Sequence, residues 1–367
     1  MRAVLTFLSW PIVAGVLAGL LLLQQFGDRS VAVDSAARSS YRGAVGTATP
    51  AVVNIYTERR VANFRSPLLN NPLMPIPRGV PRQRVERSLG SGVIMRSDGY
   101  ILTNNHVIEG ADAVQVLLSD GRTAAAQFVG RDRATDLAAL RIELDGLSAI
   151  DRADSDLLSV GDVVLAIGNP LGFGHSVTQG IISGLGRFGM NPGTYEGFIQ
   201  TDAVIHPGNS GGALVDVNGS LVGINSLIYT SAGGATAGNT GIGISLAIPS
   251  NLADFIMDDL IRFGRVIRGW LGVQVEQIPV AQGSNAMSQL LIVRGVAPDG
   301  PAARAGLQTG DIITHFDDSP IDDVRLSMYE VSLLRPGDRL PITVERDGAV
   351  VDLDAVIGTQ PEAASGA

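Results

Sequence analysis

Three short segments hold the residues of this chain whose types and settings could do covalent chemistry: a histidine in Tyr100-Ile-Leu-Thr-Asn-Asn-His106-Val, an aspartate in Ala134-Thr-Asp136-Leu-Ala-Ala-Leu, and a serine in Pro207-Gly-Asn-Ser210-Gly-Gly-Ala-Leu. A serine hydroxyl is a weak nucleophile until an imidazole takes its proton, and the imidazole needs a carboxylate to fix its tautomer and stabilise the imidazolium. Glycines on both sides of Ser210 let the backbone turn sharply, and by position Gly208 and Ser210 would aim two N–H groups at the oxyanion of a tetrahedral intermediate. Each piece is commonplace alone: a polar histidine at a strand end, a turn-forming aspartate, a glycine-rich turn. Together, in the order His, Asp, Ser, they follow a known triad template and predict acyl transfer at Ser210. His175, His206 and His315 read as surface polar residues.

Composition closes off the competing chemistries. Cysteine is absent, which excludes thiol nucleophiles, disulfides and Cys-ligated metals. All 27 basic residues are arginine, so Schiff-base lysines, Ser–Lys dyads and the Walker A lysine are excluded as well. Four histidines with no HExxH pairing predict no metal, and nothing calls for a cofactor. A net charge of −9 offers no basic field to a phosphate backbone, so nucleic acid is not an expected partner. With 367 residues, 45% apolar and 17% charged, the chain is long enough for two domains and too apolar to be disordered.

The elements that must position these residues are short β-runs. From Val45 to Pro249, strand-like segments alternate with turn signals such as Ser97-Asp98-Gly99, Ser119-Asp120-Gly121 and Asn218-Gly219. About a dozen such runs predict a β-barrel or a pair of barrels. Ser250 is expected to cap an amphipathic helix that presents Leu252, Phe255, Ile256 and Leu260 and ends before Gly264. The stretch from Thr57 to Leu89, with five prolines and seven arginines, predicts a long surface loop.

At the N-terminus no charge occurs between Arg2 and Asp28, and Val4 to Leu23 is mostly apolar, about the length that spans a bilayer. The expectation is an uncleaved anchor over residues 1–27 with a cytoplasmic amino end, and a cleavable signal peptide is the alternative. A polar linker over 28–44, a catalytic domain over 45–260, a second domain over 261–357 and a disordered tail over 358–367 complete the predicted layout.

TNNHV, ATDLAAL and GNSGGAL, with QTDA upstream, resemble the HtrA (Deg) family of trypsin-fold serine proteases over Val45 to Ile357. The one-anchor, one-protease, one-PDZ layout, with VLAIGNP, TQGIIS and GRVIRGWLG, is similar to the membrane-anchored stress sensors of that family. The resemblance implies an all-β dominated protein: a trypsin-like double β-barrel, then one PDZ domain, behind an N-terminal transmembrane helix. His106, Asp136 and Ser210 would be the triad and Gly208 and Ser210 the oxyanion hole. Arg187 matches the family's sensor-loop arginine, in a loop running to about Phe198. Departures are Ser245 and Leu246 beside the specificity pocket, Leu171 where an aromatic is usual, and His206 for an asparagine. Val204, six residues before the nucleophile and usually at the base of the primary pocket, is apolar; with Ile205 and Leu227 it predicts a pocket for small aliphatic side chains.

Strand-like runs from Arg268 to Ile357, with a short helix at Pro301 to Leu307 and a longer one at Asp322 to Leu334, look like a PDZ domain of the bacterial protease type. Such domains add an extended peptide to a sheet edge and capture its carboxylate in backbone amides. Trp270, Leu271, Gly272 and Val273 match that loop. The implied protein is a periplasm-facing serine endopeptidase of the inner membrane, a homotrimer that cuts an anti-sigma factor when C-termini of misfolded outer-membrane proteins occupy its PDZ domain. The alternatives are a general periplasmic quality-control protease and a catalytically weak chaperone or scaffold.

Overall fold

The computed structural model describes residues 40–62, 83–169, 174–188, 197–206, 208–230, 234–235, 245–282, 286–321 and 323–360. The expected anchor, most of the linker, Leu171, the centre of the arginine-rich stretch and residues 361–367 lie outside these residues; the ends of that stretch are paired strand rather than loop, 57–62 against 83–88, and Gly358–Thr359, expected in the tail, pair with Gly269–Trp270. Among the described residues no helix is long and apolar enough to cross a membrane.

After a short helix α1 (Arg42–Ala48), the first sheet is built from β1 (Val52–Ala62), β2 (Gln83–Ile94), β3 (Tyr100–Asn104), β4 (Ala113–Leu117), β5 (Thr123–Ala125), β6 (Gln127–Asp132) and β7 (Leu137–Arg141), with a one-turn helix α2 (Asn105–Ile108) after β3. The strand order is β5-β4-β1-β2-β3-β7-β6, antiparallel throughout. Ile55, Ile94, Ile101, Leu102, Leu137 and Leu140 have essentially no exposure; since neighbours such as Ile101 and Leu102 point to opposite faces, β3 and β7 are covered on both sides. Each such side chain contributes about 1.5–3 kcal/mol of transfer free energy.

The second sheet holds β8 (Val163–Gly168), β9 (Ser176–Arg187), β10 (Phe198–Thr201), β11 (Ala213–Val215), β12 (Leu221–Thr230), β13 (Gly234–Ala235) and β14 (Ser245–Pro249). It closes on itself, because β11 pairs with both β8 and β12. Its core gathers Val164, Ile182, Ile199, Ile205, Leu214 and Val222. Helix α3 (Ser250–Phe263) follows, burying Leu252, Ile256, Met257 and Leu260 at helical spacing, and Gly264 ends it with φ +70° and an N–H bonded to the Leu260 carbonyl. Ser250 does not cap it. The residue is already inside the first turn, and its hydroxyl donates to the Ala153 carbonyl at 2.8 Å.

The C-terminal module comprises β15 (Gly269–Trp270), β16 (Val273–Gln282), β17 (Ala286–Val296), α4 (Pro301–Ala305), β18 (Ile312–Phe316), β19 (Ser319–Pro320), α5 (Val324–Leu333), β20 (Arg339–Arg346), β21 (Ala349–Val356) and β22 (Gly358–Thr359). Both helices are shorter than the sequence pattern suggests, since Gly306 closes α4 in the left-handed region and the Asp323 carboxylate caps α5 by accepting from the Arg325 and Leu326 amides. The main sheet runs β16-β17-β18-β20-β21 around Leu291, Val293, Ile313, Ile342 and Val344. One buried ion pair ties it: Arg346 reaches Asp311, 1% exposed, through Nε and Nη2 at 2.7 Å, and Nη2 also donates to the Gly306 carbonyl at 2.8 Å.

The Arg346 hydrogen bonds hold the Asp311 carboxyl below its ordinary range, so ionised Asp311 stabilises the fold above its unfolded value near pH 3.9, and that contribution fades as pH falls through the lowered folded value. Asp311→Asn is expected to cost about 3 kcal/mol at pH 7 in denaturant unfolding, with the deficit shrinking below about pH 4.

Candidate active site

The register of β3 against β7, with Asn104 opposite Leu137, brings the two ends of these strands together and so places His106 beside Asp136. His106 sits in the one-turn helix α2, one step beyond the strand end expected for it. The main chain is locked first: the Asn105 N–H and the Asn104 amide donate to the Asp136 carbonyl at 2.9 and 3.1 Å. The Asp136 carboxylate then holds the same histidine twice, taking the His106 main-chain N–H on Oδ1 at 3.0 Å and Nδ1 on Oδ2 at 2.6 Å. A carboxylate accepts only, so Nδ1 carries the proton and Nε2 is left as the basic nitrogen. Asp136 itself adopts φ +58°, a left-handed conformation that Asp tolerates better than most residues.

The turn that delivers Asp136 is tied to the C-terminal module. Asp132 accepts from the Thr135 N–H at 3.1 Å and the Thr135 hydroxyl at 2.5 Å, and its carboxylate is gripped by both terminal nitrogens of Arg268 at 3.1 and 2.5 Å. Both partners are nearly buried, with side-chain exposures of 11% and 8%.

Ser210 comes from the second sheet, between β10 and β11. The turn before it is closed by the Asn209 N–H on the His206 carbonyl at 2.9 Å, with Gly208 at φ +94°. Gly211 follows at φ +81°, and a Cβ there would fall 2.2 Å from the Ser91 carbonyl oxygen, so this position requires glycine on two counts. Among the described residues, no acceptor takes the N–H of Gly208 or of Ser210. The Ser210 hydroxyl donates to the Ser226 carbonyl at 2.9 Å. The arrangement supplies a base nitrogen, a hydroxyl and two free amides, the parts acyl transfer needs.

The remaining candidates fall as follows. Ile205 is 1% exposed and packs in the barrel core, so its side chain does not line a surface pocket. Its N–H donates to the hydroxyl of Ser245 at 3.1 Å, which gives that unusual strand residue a role in holding the 204–205 segment. Val204 is 46% exposed and its carbonyl accepts from the Thr178 hydroxyl at 2.7 Å. Leu227 lies on β12, and its side chain is outside the described residues. Arg187, exposed, donates through Nε to Gln200 of β10 at 2.8 Å; most of the loop after it, residues 189–196, lies outside the described residues. Phe188 at the start of that loop meets Tyr329 of α5 edge to face at 5.8 Å, beside a cavity of about 430 Å³ that Leu185, Ile199, Phe255 and Leu326 also line.

In the C-terminal module, Leu271 is buried and Val273 packs against the same core, while Gly272 turns at φ +80°. Trp270 lies against Gly272, Gly300 and Gly358. Among the described residues, strand β16 has β17 as its single sheet neighbour, so its outer edge carries no described strand. Among the described residues no group of three or more His, Asp or Glu could hold a metal ion.

Residues 90–224 match the model of the trypsin-like peptidase domain and residues 269–357 that of the PDZ domain, which defines the class: a trypsin-like serine protease joined to one PDZ domain. The chain is 44% identical to the serine endoprotease DegS of Escherichia coli K12 over 327 residues, covering 88% of this chain and 87% of that one. It is 42% identical to a probable periplasmic serine endoprotease, DegP-like, of Pseudomonas putida W619, covering 87% of this chain and 69% of that one. Solved structures of the HtrA-type protease AlgW, with a decapeptide and with a tripeptide, superpose with TM-scores of 0.68 and 0.69 at 46% identity, covering 88% and 89% of this chain and 100% of each of theirs. The chain belongs to the HtrA family of serine endoproteases.

Sequence reasoning missed Asp132, Arg268, Ser91 and Ser226. For Asp132 the spacing Asp132-x-x-Thr135, a local side-chain cap, was the available signal. Removing Arg268 leaves the Asp132 charge nearly buried and unpaired; Arg268→Ala is expected to lower stability by about 3 kcal/mol in denaturant unfolding.

Proposed function

We propose that this HtrA-type serine endoprotease is a membrane-anchored, periplasm-facing enzyme in which His106, Asp136 and Ser210 form the triad. The observation that carries the assignment is the double grip of one carboxylate on the ring and main chain of His106, at 2.6 and 3.0 Å. In the reaction, Ser210 Oγ attacks the scissile carbonyl carbon while Nε2 of His106 takes its proton. The oxyanion is met by the Gly208 and Ser210 amides; the imidazolium, stabilised by Asp136, protonates the leaving amine, and water then releases the acyl group by the same steps. Val204 and Leu227 favour a small aliphatic side chain at the cleaved bond. Ser210→Ala and His106→Ala are each expected to cost on the order of 10⁴-fold or more in kcat on an unfolded protein substrate, and Asp136→Asn about 10⁴-fold, with little change in thermal midpoint.

The PDZ domain is proposed to regulate this activity by capturing C-terminal peptides of misfolded outer-membrane proteins. The outer edge of β16 and the glycine turn at Gly272 support strand addition with carboxylate capture at Trp270 to Val273, and the AlgW structures were solved with bound peptides. Residues 1–27 form the proposed anchor, 28–44 the linker, 45–260 the protease domain, 261–360 the PDZ domain, since Gly358–Thr359 pair with Gly269–Trp270, and 361–367 the tail. The periplasmic assignment draws on the name of the DegP-like relative. The substrate is proposed to be a membrane-bound anti-sigma factor and the working form a homotrimer, with Arg187 in the loop that relays PDZ occupancy. With the full chain in detergent, a peptide ending in a free apolar carboxylate is expected to raise kcat/KM at least tenfold, and its C-terminally amidated form to have no effect. Equal cleavage with and without peptide would instead support constitutive quality control.

A further inference from the structure

We propose that Ser91 is a positioning residue for the oxyanion hole: its hydroxyl and its main-chain N–H together anchor the two peptide units adjacent to those that carry the donor amides. The proposal rests on the triad reading above and extends it to a residue of the other sheet.

Ser91 lies in β2, fully buried, and its bonds cross the seam to the turn that carries the nucleophile. The hydroxyl donates to the Gly208 carbonyl at 2.6 Å, and the N–H donates to the Ser210 carbonyl at 2.9 Å. The direction of the first bond is forced. A carbonyl only accepts, so the single hydroxyl proton goes to Gly208, and the Asn169 N–H takes one of the oxygen's lone pairs at 2.9 Å. Ser91 is itself held through its own carbonyl, which accepts from the Thr103 hydroxyl at 2.7 Å.

The consequence is geometric. Along the turn, the two units that flank the Ser210 N–H are pinned by Ser91, and the unit that carries this N–H, linking 209 to 210, is held at its own carbonyl by the Gly212 N–H at 2.9 Å. The unit linking 208 to 209 is pinned at its carbonyl by the Ser91 hydroxyl and at its N–H by the His206 carbonyl. The unit linking 210 to 211 is pinned at its carbonyl by the Ser91 N–H and at its N–H by the Asn225 carbonyl, 2.8 Å away. Between and beside these lie the units whose N–H groups belong to Ser210 and Gly208, the two that must point at the oxyanion. One residue therefore holds both anchored units. Donors fixed before the reaction stabilise developing charge without reorganisation, and that advantage falls when a donor can swing.

Ser91→Ala keeps the main-chain bond and deletes the hydroxyl, so the effect expected is on the transition state and not on substrate binding. With the full-length protein in detergent and a peptide amide substrate, Ser91→Ala should lower kcat roughly 10- to 100-fold, less than outright loss of an oxyanion donor, with KM within about threefold of wild type. A peptide boronic acid, whose tetrahedral adduct places an oxygen in the hole, should lose affinity by the same factor as kcat/KM. A loss of packing alone would not produce that parallel. Ser91→Cys, close in size and only a weak donor, should fall between the two and covers the case in which the alanine variant fails to fold. Wild-type kcat and boronate affinity in whichever variant folds, or a loss confined to KM, would overturn the proposal. Cleavage that survives in Ser210→Ala would sink the triad reading beneath it; a dead Ser210→Ala beside a full-speed Ser91→Ala would sink the positioning role alone.

Discussion

Everything proposed about the chemistry depends on a seam between two sheets that each bury a core of their own. His106 and Asp136 belong to the first sheet and Ser210 to the second. Nothing in either barrel alone brings a hydroxyl to an imidazole. What joins them at the site is backbone hydrogen bonding: the Ser91 N–H on the Ser210 carbonyl, the Ser91 hydroxyl on the Gly208 carbonyl, and a left-handed glycine at 211 that leaves room for the Ser91 carbonyl to approach. A buried carbonyl left without its donor costs about 1–3 kcal/mol, so the seam has one well-defined closed arrangement rather than a range of them.

The PDZ domain is attached by directional contacts of the same kind. Arg268 grips Asp132, four residues before Asp136; Arg335 reaches the buried Asp259 of α3 at 2.7 Å and lies over the Phe255 ring at 3.9 Å. The chain has no lysine, and these junctions use what guanidinium offers over ammonium: a planar fork for carboxylates and a flat face for aromatic rings. Buried ion pairs of this sort add little net stability over an apolar substitute, but breaking one leaves a stranded charge. They fix geometry, and the geometry they fix here includes the turn that presents the carboxylate of the proposed triad.

The regulatory half of the proposal uses separate surfaces of one module. The outer edge of β16 faces away from the sheet, whereas Tyr329 on α5 touches Phe188 at the root of the segment that carries the matched arginine, Arg187. Burial pushes the Tyr329 phenol above its ordinary range, so it stays neutral and serves as packing surface at this junction. The cavity beside it leaves that junction less than fully packed.

By itself the sequence determined what is local. Hairpin turns, the two barrels' worth of β-runs, the glycine bracket around Ser210 and the strand-end settings of His106 and Asp136 follow from residue type and near neighbours, and each is legible within about ten positions. Helix ends were less so: Ser250 looks like a cap, yet its hydroxyl is drawn to Ala153, 97 residues away. Ile205 looks like a pocket residue, yet the second barrel swallows it. Tertiary structure alone decided the supports of the site, because Ser91 and Gly208 are separated by 117 residues and Asp132 and Arg268 by 136. A buried hydrogen bond leaves no periodicity and no turn signal in the chain; it exists once the barrels have closed and excluded water, and that closure is a property of the whole fold.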